Sequence, residues 1–297
     1  MTTIATTAAP ATIGRNRSHR STTGDKVVAG VSHTLLSIWT ITVIVPFAWT
    51  LLCSFKTTSE IFASPFGLPA QWNFDNYVKA WSDVGIGKYF FNTVVVVGCA
   101  LVLVMLLGAM LAYALARFKF LGNRLIYNTM LAAMTFPVFL SIVPLFFVLS
   151  GFGLLSTKPG LILVYVAFAL PFTMFFLYSF FRQLPQDVYE AAKIDGAGEW
   201  RAFFSVMLPM ASPGMASVAI LNFLGLWNQF LLPVVLNANP ENYVLSQAMS
   251  VFQSKAGYSV DFGALFAAVV MTVLPVFIVY IVFQRKLEGS VSQGTFR

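Results

Sequence analysis

The sequence predicts an all-α integral membrane protein with six transmembrane helices, several of them kinked or broken. Three observations carry that expectation. Of 297 residues, 58% are hydrophobic and only 10% are charged, against about 25% charged in a soluble domain. Six stretches contain no Asp, Glu, Lys or Arg: 27–55, 89–116, 125–157, 159–181, 202–240 and 262–284. Each is long enough to cross a bilayer, which takes about 20 helical residues, and none shows the period-two alternation of a barrel strand.

The elements follow in order. Residues 1–26 are rich in Thr, Ala and Arg, lack an apolar signal-peptide region, and read as a disordered tail. The span 27–55 then remains as an anchor, with His33 near its start. In the second span, Gly108, Ala112 and Ala116 form a row of small residues on which another helix backbone can approach closely. The third span carries Pro137 and Pro144, and the others carry Pro46, Pro171, Pro233 and Pro275, so five of the six hold an internal proline. Each proline frees a carbonyl four residues earlier, which a neighbouring helix or a wet cavity must satisfy. The fifth stretch is too long for one span. Its first turns belong to the preceding segment and its last to a loop.

Charge sets the expected orientation. Thirteen of the 18 Lys and Arg fall in the N-terminal tail, the 117–124 loop, the 182–201 loop and the C-terminus. The positive-inside rule places these segments, and both termini, in the cytoplasm. The net charge of +7 therefore reads as loop bias rather than a nucleic-acid footprint. Cys53, Cys99, His19 and His33 have no metal-ligand spacing, and no metal site is expected.

The loop 184–209 reads LPQDVYEAAKIDGAGEWRAFFSVMLP. Pro185 suits a helix start, Asp187 a first turn, and Gly196 and Gly198 a helix end with left-handed backbone. Val188, Ala191, Ala192 and Asp195 then share one small-residue face. Trp200, Phe203, Phe204 and Met207 share an apolar face suited to the membrane interface.

This segment resembles the EAA loop of ABC importer permeases. Glu190-Ala191-Ala192, three residues, Gly196, nine residues, Val206, one residue and Leu208-Pro209 match the pattern, with Val206 where the family usually has Ile. The resemblance extends through Ser54-Phe55-Lys56, Glu60-Ile61-Phe62, Asn76-Tyr77, the run from Ala112 to Arg117 and the Pro137/Pro144 pair. It identifies the chain with the carbohydrate-uptake branch (CUT1), MalG-like inner-membrane subunits, and implies the type I ABC importer permease fold. It implies three domain segments: the tail 1–26, the permease domain 27–287 and a C-terminal tail 288–297. It also implies a cytoplasmic coupling helix docking an ATPase through Glu190, Ala191, Ala192, Asp195 and Gly196, and a tail contacting the ATPase dimer through Glu288, Gly289 and Gly294. The glycines predict an irregular path for that tail. The implied partners are a non-identical MalF-like permease, two ATPase subunits holding ATP and Mg, an external solute-binding protein and a sugar, an oligosaccharide. The setting is a prokaryotic cell membrane.

Two other classes were weighed on the residues. A proton-coupled secondary transporter usually relays protons through intramembrane carboxylates or histidines, for which His33 is the one candidate. A sodium-coupled one can use backbone carbonyls and stays open as the alternative, although no internal repeat is visible. A membrane enzyme needs a catalytic constellation, and no catalytic residue stands out. No G-x-x-x-x-G-K-[ST] exists, so the chain is expected to hydrolyse no ATP. For the solute path, Asn222, Gly225, Leu226 and Gln229 form one stripe. Asn222 and Gln229 are expected to line the path, with Trp227 or a nearby aromatic stacking on the sugar. Helix–helix hydrogen bonding by the same side chains stays open beside that reading.

Overall fold

The computed structural model describes residues 23–255 and 261–294, so residues 1–22 of the expected tail lie outside it. The first unit comprises the chain to Trp49 and the second begins at Thr50. In the first, helix α1 (Thr23–Cys53) begins within the expected tail. His33 Nδ1 lies 2.7 Å from the Ala29 carbonyl, and the Thr34, Thr40 and Thr42 hydroxyls donate to carbonyls four residues earlier. In lipid, polar side chains must be satisfied in this internal way.

The second unit opens with a small cap, α2 (Thr58–Ala63) and α3 (Asp75–Val78), followed by a π-helical turn over Lys79–Asp83. Asn76, 1% exposed, donates to the Ser54 and Lys56 carbonyls at 2.9 Å each. Ser54 Oγ lies 2.7 Å from the Tyr77 hydroxyl. Lys56 is fully buried and donates to the Ser64 carbonyl at the end of α2 at 2.9 Å, where a cation meets the negative helix terminus.

Helix α4 (Ile86–Arg117) follows, then α5 (Asn123–Thr135) and α6 (Val138–Gly151). These last two form one apolar segment bent by 108°. Phe136 is extended before Pro137, because a residue preceding proline is pushed out of the helical region. Helix α7 (Lys158–Gln183) starts at a Thr157 cap, whose hydroxyl accepts from Gly160 N at 3.1 Å.

The loop region contains α8 (Gln186–Ile194), α9 (Glu199–Ala202), a π-helical turn over Phe203–Met207 and α10 (Leu208–Met210). Then come α11 (Ser212–Trp227), α12 (Leu231–Leu236), α13 (Leu245–Lys255) and α14 (Phe262–Gly294). A 77° bend separates the α9–α10 stretch from α11. By length and composition, four helices among the described residues can cross a membrane, or six if each bent pair counts as one span.

The core is the parallel pair α4 and α7, with α11 against both and α14 against α11. Gly108 explains the close α4–α7 approach: a Cβ there would stand 2.5 Å from Thr173 Cγ2. Ala112 is fully buried beside it, so the small-residue row is a packing face. Where α4 begins, Asn92 Nδ2 donates to the Glu241 and Tyr243 carbonyls at 2.9 Å each, and Leu245 N donates to Thr93 Oγ1 at 2.7 Å. Asn242 donates to the Ser156 carbonyl at 2.8 Å, and Gln247 to that of Asn237 at 2.6 Å.

Candidate functional site

The loop 184–209 folds as a hairpin of two short helices. Its first helix, α8, ends in a Schellman arrangement: Ala197 N donates to the Ala192 carbonyl at 2.9 Å and Gly196 N to that of Lys193 at 3.1 Å. Gly196 has φ +80°, the left-handed conformation expected from the sequence. A Cβ there would meet nothing within 4 Å, so the backbone angle rather than space selects glycine. Gly198 differs from expectation. It stands at φ −68° in extended conformation, which any residue adopts.

The small-residue face divides. Ala192 is buried against Ala197 and Ala202, with Tyr189 and Val206 beside them, so it closes the hairpin on itself rather than facing outward. Glu190, Ala191, Asp195 and Gly196 are exposed. Glu190 Oε1 accepts from Gln186 Nε2 one turn earlier at 3.3 Å. Beside them stands Ile194, 86% exposed at the tip. It is not among the docking residues expected from the sequence, although a β-branched apolar residue between Lys193 and Asp195 is a visible signal.

A clasp joins the two helices. Lys193 Nζ donates to Glu199 Oε1 at 2.9 Å, and the Tyr189 hydroxyl to the same carboxylate at 3.0–3.1 Å. The lysine's hydrogen bond holds the Glu199 carboxyl below the usual carboxylate range. Burial first, and then that carboxylate, push the Tyr189 phenol up.

The expected apolar face of the second helix also divides. Phe203 and Met207 are buried, 2% and 0% exposed, whereas Trp200 and Phe204 are exposed and stack on each other at 6.0 Å and 15°. The π-helical turn over Phe203–Met207 accommodates an extra residue, so a face drawn at 3.6 residues per turn does not hold together.

Arg117, the last residue of α4, reaches this hairpin. Its Nη1 donates to Gln186 Oε1 and its Nη2 to the Leu184 carbonyl, both at 2.7 Å. Asn123 Nδ2 caps the same end of α4 on the Leu115 and Phe118 carbonyls, at 3.1 and 2.8 Å.

The tail residues Glu288, Gly289 and Gly294 lie within α14, whose backbone stays helical to Gly294. The expected irregular path is therefore absent from 288–294, and the domain boundary at 288 coincides with no break. A lone mid-helix glycine costs only about 1 kcal/mol against alanine, too little to end a helix that long.

The polar stripe of the fifth segment is intact. Asn222, Gly225, Leu226 and Gln229 line one cavity of about 400 Å³ with Tyr165 and Phe172 of α7. Asn222 Nδ2 donates to Thr173 Oγ1 at 2.8 Å, and it is 5% exposed. It thus ties α11 to α7 at the cavity's edge. The sequence assigns the free Gln229 carbonyl to Pro233, but Gln229 lies in the break between α11 and α12 and Pro233 in the first turn of α12. The break itself frees that carbonyl, which accepts from Ser246 Oγ at 2.7 Å. Trp227 is not brought to this wall. At about 100° per residue, five positions carry it some 140° round the helix from Asn222. It lines a separate apolar cavity of about 570 Å³ and donates to the Thr272 carbonyl at 3.2 Å. Aromatic rings at the Asn222 wall come instead from Tyr165, Phe168 and Phe172.

Among the described residues no group of three or more His, Cys, Asp or Glu is placed to hold a metal ion. The profile of the binding-protein-dependent transport system inner membrane component family matches residues 104–293. The chain is 68% identical over 273 residues to the diacetylchitobiose uptake system permease protein NgcG of Streptomyces coelicolor, covering 92% of this chain and 90% of that protein. It is 33% identical over 254 residues to the trehalose transport system permease protein SugB of Mycobacterium tuberculosis, covering 86% and 92%. In fold it resembles a chain of a bacterial ABC transporter involved in the import of the acidic polysaccharide alginate. There the TM-score is 0.78 at 22% identity, covering 89% of this chain and 98% of that one. The hairpin closed by Gly196, the bent spans and these matches agree: the chain belongs to the binding-protein-dependent transport system inner membrane components and is a permease subunit of an ATP-binding-cassette importer of the CUT1 type.

Proposed function

We propose that this permease forms half of the path for a small oligosaccharide of the diacetylchitobiose class, handed over by an external binding protein, and that its hairpin docks a separate ATPase. The assembly contains a second, non-identical permease and two ATPase subunits carrying ATP and Mg. The hairpin and both termini face the cytoplasm, following the distribution of Lys and Arg. The sugar class is supported by the 68% identity to the diacetylchitobiose permease of Streptomyces coelicolor.

The observation that carries the docking reading is the exposed tip of α8. Ile194 stands 86% exposed on a helix whose end is fixed by the positive φ of Gly196. An apolar anchor ringed by Glu190, Ala191 and Asp195 fits a groove that buries one side chain and pairs the rim charges. Glu190 can accept a charge-assisted hydrogen bond there. The tail helix beyond Gln284, with Glu288, Gly289 and Gly294, supplies a second surface for the ATPase dimer.

Along the path, Asn222 and Gln229 offer amides beside the rings of Tyr165 and Phe172, the mixture of polar groups and aromatic faces that suits a sugar. Substrate class is tested by thermal stabilisation of the associated binding protein across a sugar panel, with diacetylchitobiose expected to give the largest shift. Docking is tested by co-purifying the ATPase with Ile194→Asp, which is expected to insert normally and lose the ATPase. Retention of the ATPase would remove the hairpin's assigned role.

A further inference from the structure

Helix α7 runs into α8 through Leu184 and Pro185, both extended, at ψ 138° and 134°. The two residues interrupt the helical hydrogen-bond ladder between α7 and α8 and make a hinge there, with φ at Pro185 held by its ring. The α4–α7 pair above it is rigid, packed through Gly108 against Thr173. A movement of that pair reaches α8 by two routes. One runs through Phe203, which packs on Tyr113 at 5.0 Å and on Phe181 at 6.3 Å. The other runs directly across the hinge, where it arrives only as far as the hinge resists bending.

Arg117 bridges that hinge. Its two terminal nitrogens divide between the Leu184 carbonyl on the hinge and the Gln186 side chain on the first turn of α8, both at 2.7 Å. Gln186 also donates to Glu190, so the contact continues to the exposed face. The positive charge sits where α4 and α7 both end, at the negative ends of both helix dipoles. A guanidinium fits this place because its planar fork addresses two acceptors at a fixed angle, which an ammonium cannot. Its Nε is buried without a partner, as is the Tyr113 hydroxyl one turn earlier.

We infer that Arg117 is a positioning residue for coupling: it locks α8 to the α4–α7 pair across the Leu184–Pro185 hinge, so that helix motion is delivered to the ATPase instead of being absorbed. The inference rests on the reading that the hairpin docks the ATPase. It assigns Arg117 no contact with the ATPase itself.

The experiment uses the assembled transporter in lipid nanodiscs with its binding protein and sugar, comparing Arg117→Gln, Arg117→Lys, Gln186→Leu and the Arg117→Gln/Gln186→Leu pair. ATPase subunits are expected to co-purify with all four. The ratio of hydrolysis with loaded binding protein to hydrolysis without it is expected to fall about fivefold or more in Arg117→Gln and less in Arg117→Lys. The double variant should be no worse than the worse single one, as befits one shared contact. An unchanged ratio in Arg117→Gln, additive losses in the double variant, or loss of the ATPase from Arg117→Gln would each overturn the inference. Ile194→Asp, run in parallel, reports separately on docking: if it keeps the ATPase, the hairpin reading fails whatever Arg117 does.

Discussion

Where α4 and α7 begin, loops are held by buried and half-buried amides. Asn92 takes two carbonyls, Gln247 and Asn242 one each, and Asn76 two in the cap. Where the same helices finish, one guanidinium and one asparagine hold the backbone, Phe203 packs on Tyr113 and Phe181, and three alanines close the hairpin on itself. An amide paired with buried carbonyls leaves little room to move, because any shift orphans polar groups away from water. A joint held by one guanidinium and an aromatic cluster orphans fewer polar groups when it rocks. Under the proposed function, the firm end is the one that meets the solute and the jointed end the one that meets the ATPase.

The largest expected effect is at the firm end. Asn76→Leu strands the Ser54 and Lys56 carbonyls, at about 1–3 kcal/mol each, and is expected to lower the melting temperature of the purified protein and its yield. Arg117→Gln should leave that melting temperature nearly unchanged. Equal losses in the two variants would erase the distinction between the ends.

Next comes Gly196→Val. A β-branched residue at φ +80° is strained by about 1–3 kcal/mol, so insertion should be normal while ATPase co-purification fails. Gly198→Ala, at φ −68°, should behave as the parent, and failure there too would mean that the turn works by flexibility rather than by its positive φ. Ala192→Trp is expected to disrupt the hairpin's own packing against Ala197 and Ala202, read as increased protease cleavage between α8 and α9 before any ATPase is added.

Asn222→Leu should cost less, about 0.5–2 kcal/mol, the range for polar contacts between membrane helices. It should also change the sugar dependence of thiol labelling at a cysteine introduced for Gln229. Labelling that ignores sugar would leave Asn222 as a packing contact alone.

The smallest effect concerns the clasp. Because the Glu199 carboxyl lies below its unfolded value, its contribution is complete above the ordinary carboxylate pKa of about 4.3. It is lost as pH falls through the lowered one. Glu199→Gln should remove that acid dependence from α8 hydrogen exchange, with little change at pH 7 because the pair is exposed.

Much of this was legible in the sequence, and the gaps have physical causes. Charge-free runs located the spans, and glycine spacing marked the left-handed turn at 196. Helical periodicity gathered Asn222, Gly225, Leu226 and Gln229 on one wall. Periodicity names a face but not its neighbour, so Ala192 was assigned outward when Ala197 and Ala202, a few residues later, fill that side. Trp227 was grouped with Asn222 by proximity in the chain rather than by angle. The π-helical turn at Phe203–Met207 leaves no mark that a 3.6-residue period detects. Arg117 shows in the sequence as loop charge and as the end of the Ala112–Arg117 match, and its contact across 67 positions is invisible to local pattern. Buried Lys56 was quoted for its resemblance alone, with nothing nearby to show that carbonyls rather than an acid would hold it.

The unbroken course of α14 turns its end into a measured object. Thirty-three residues at 1.5 Å each make a rod of about 50 Å, while the hydrocarbon layer is about 30 Å thick. Roughly two fifths of the rod therefore stands clear of the oil. A flexible end of equal residue count would sample a sphere of positions and lose affinity to that wandering. A helix instead fixes the direction in which each residue faces, so inserting or removing a single residue before Glu288 would rotate everything beyond it by about 100°.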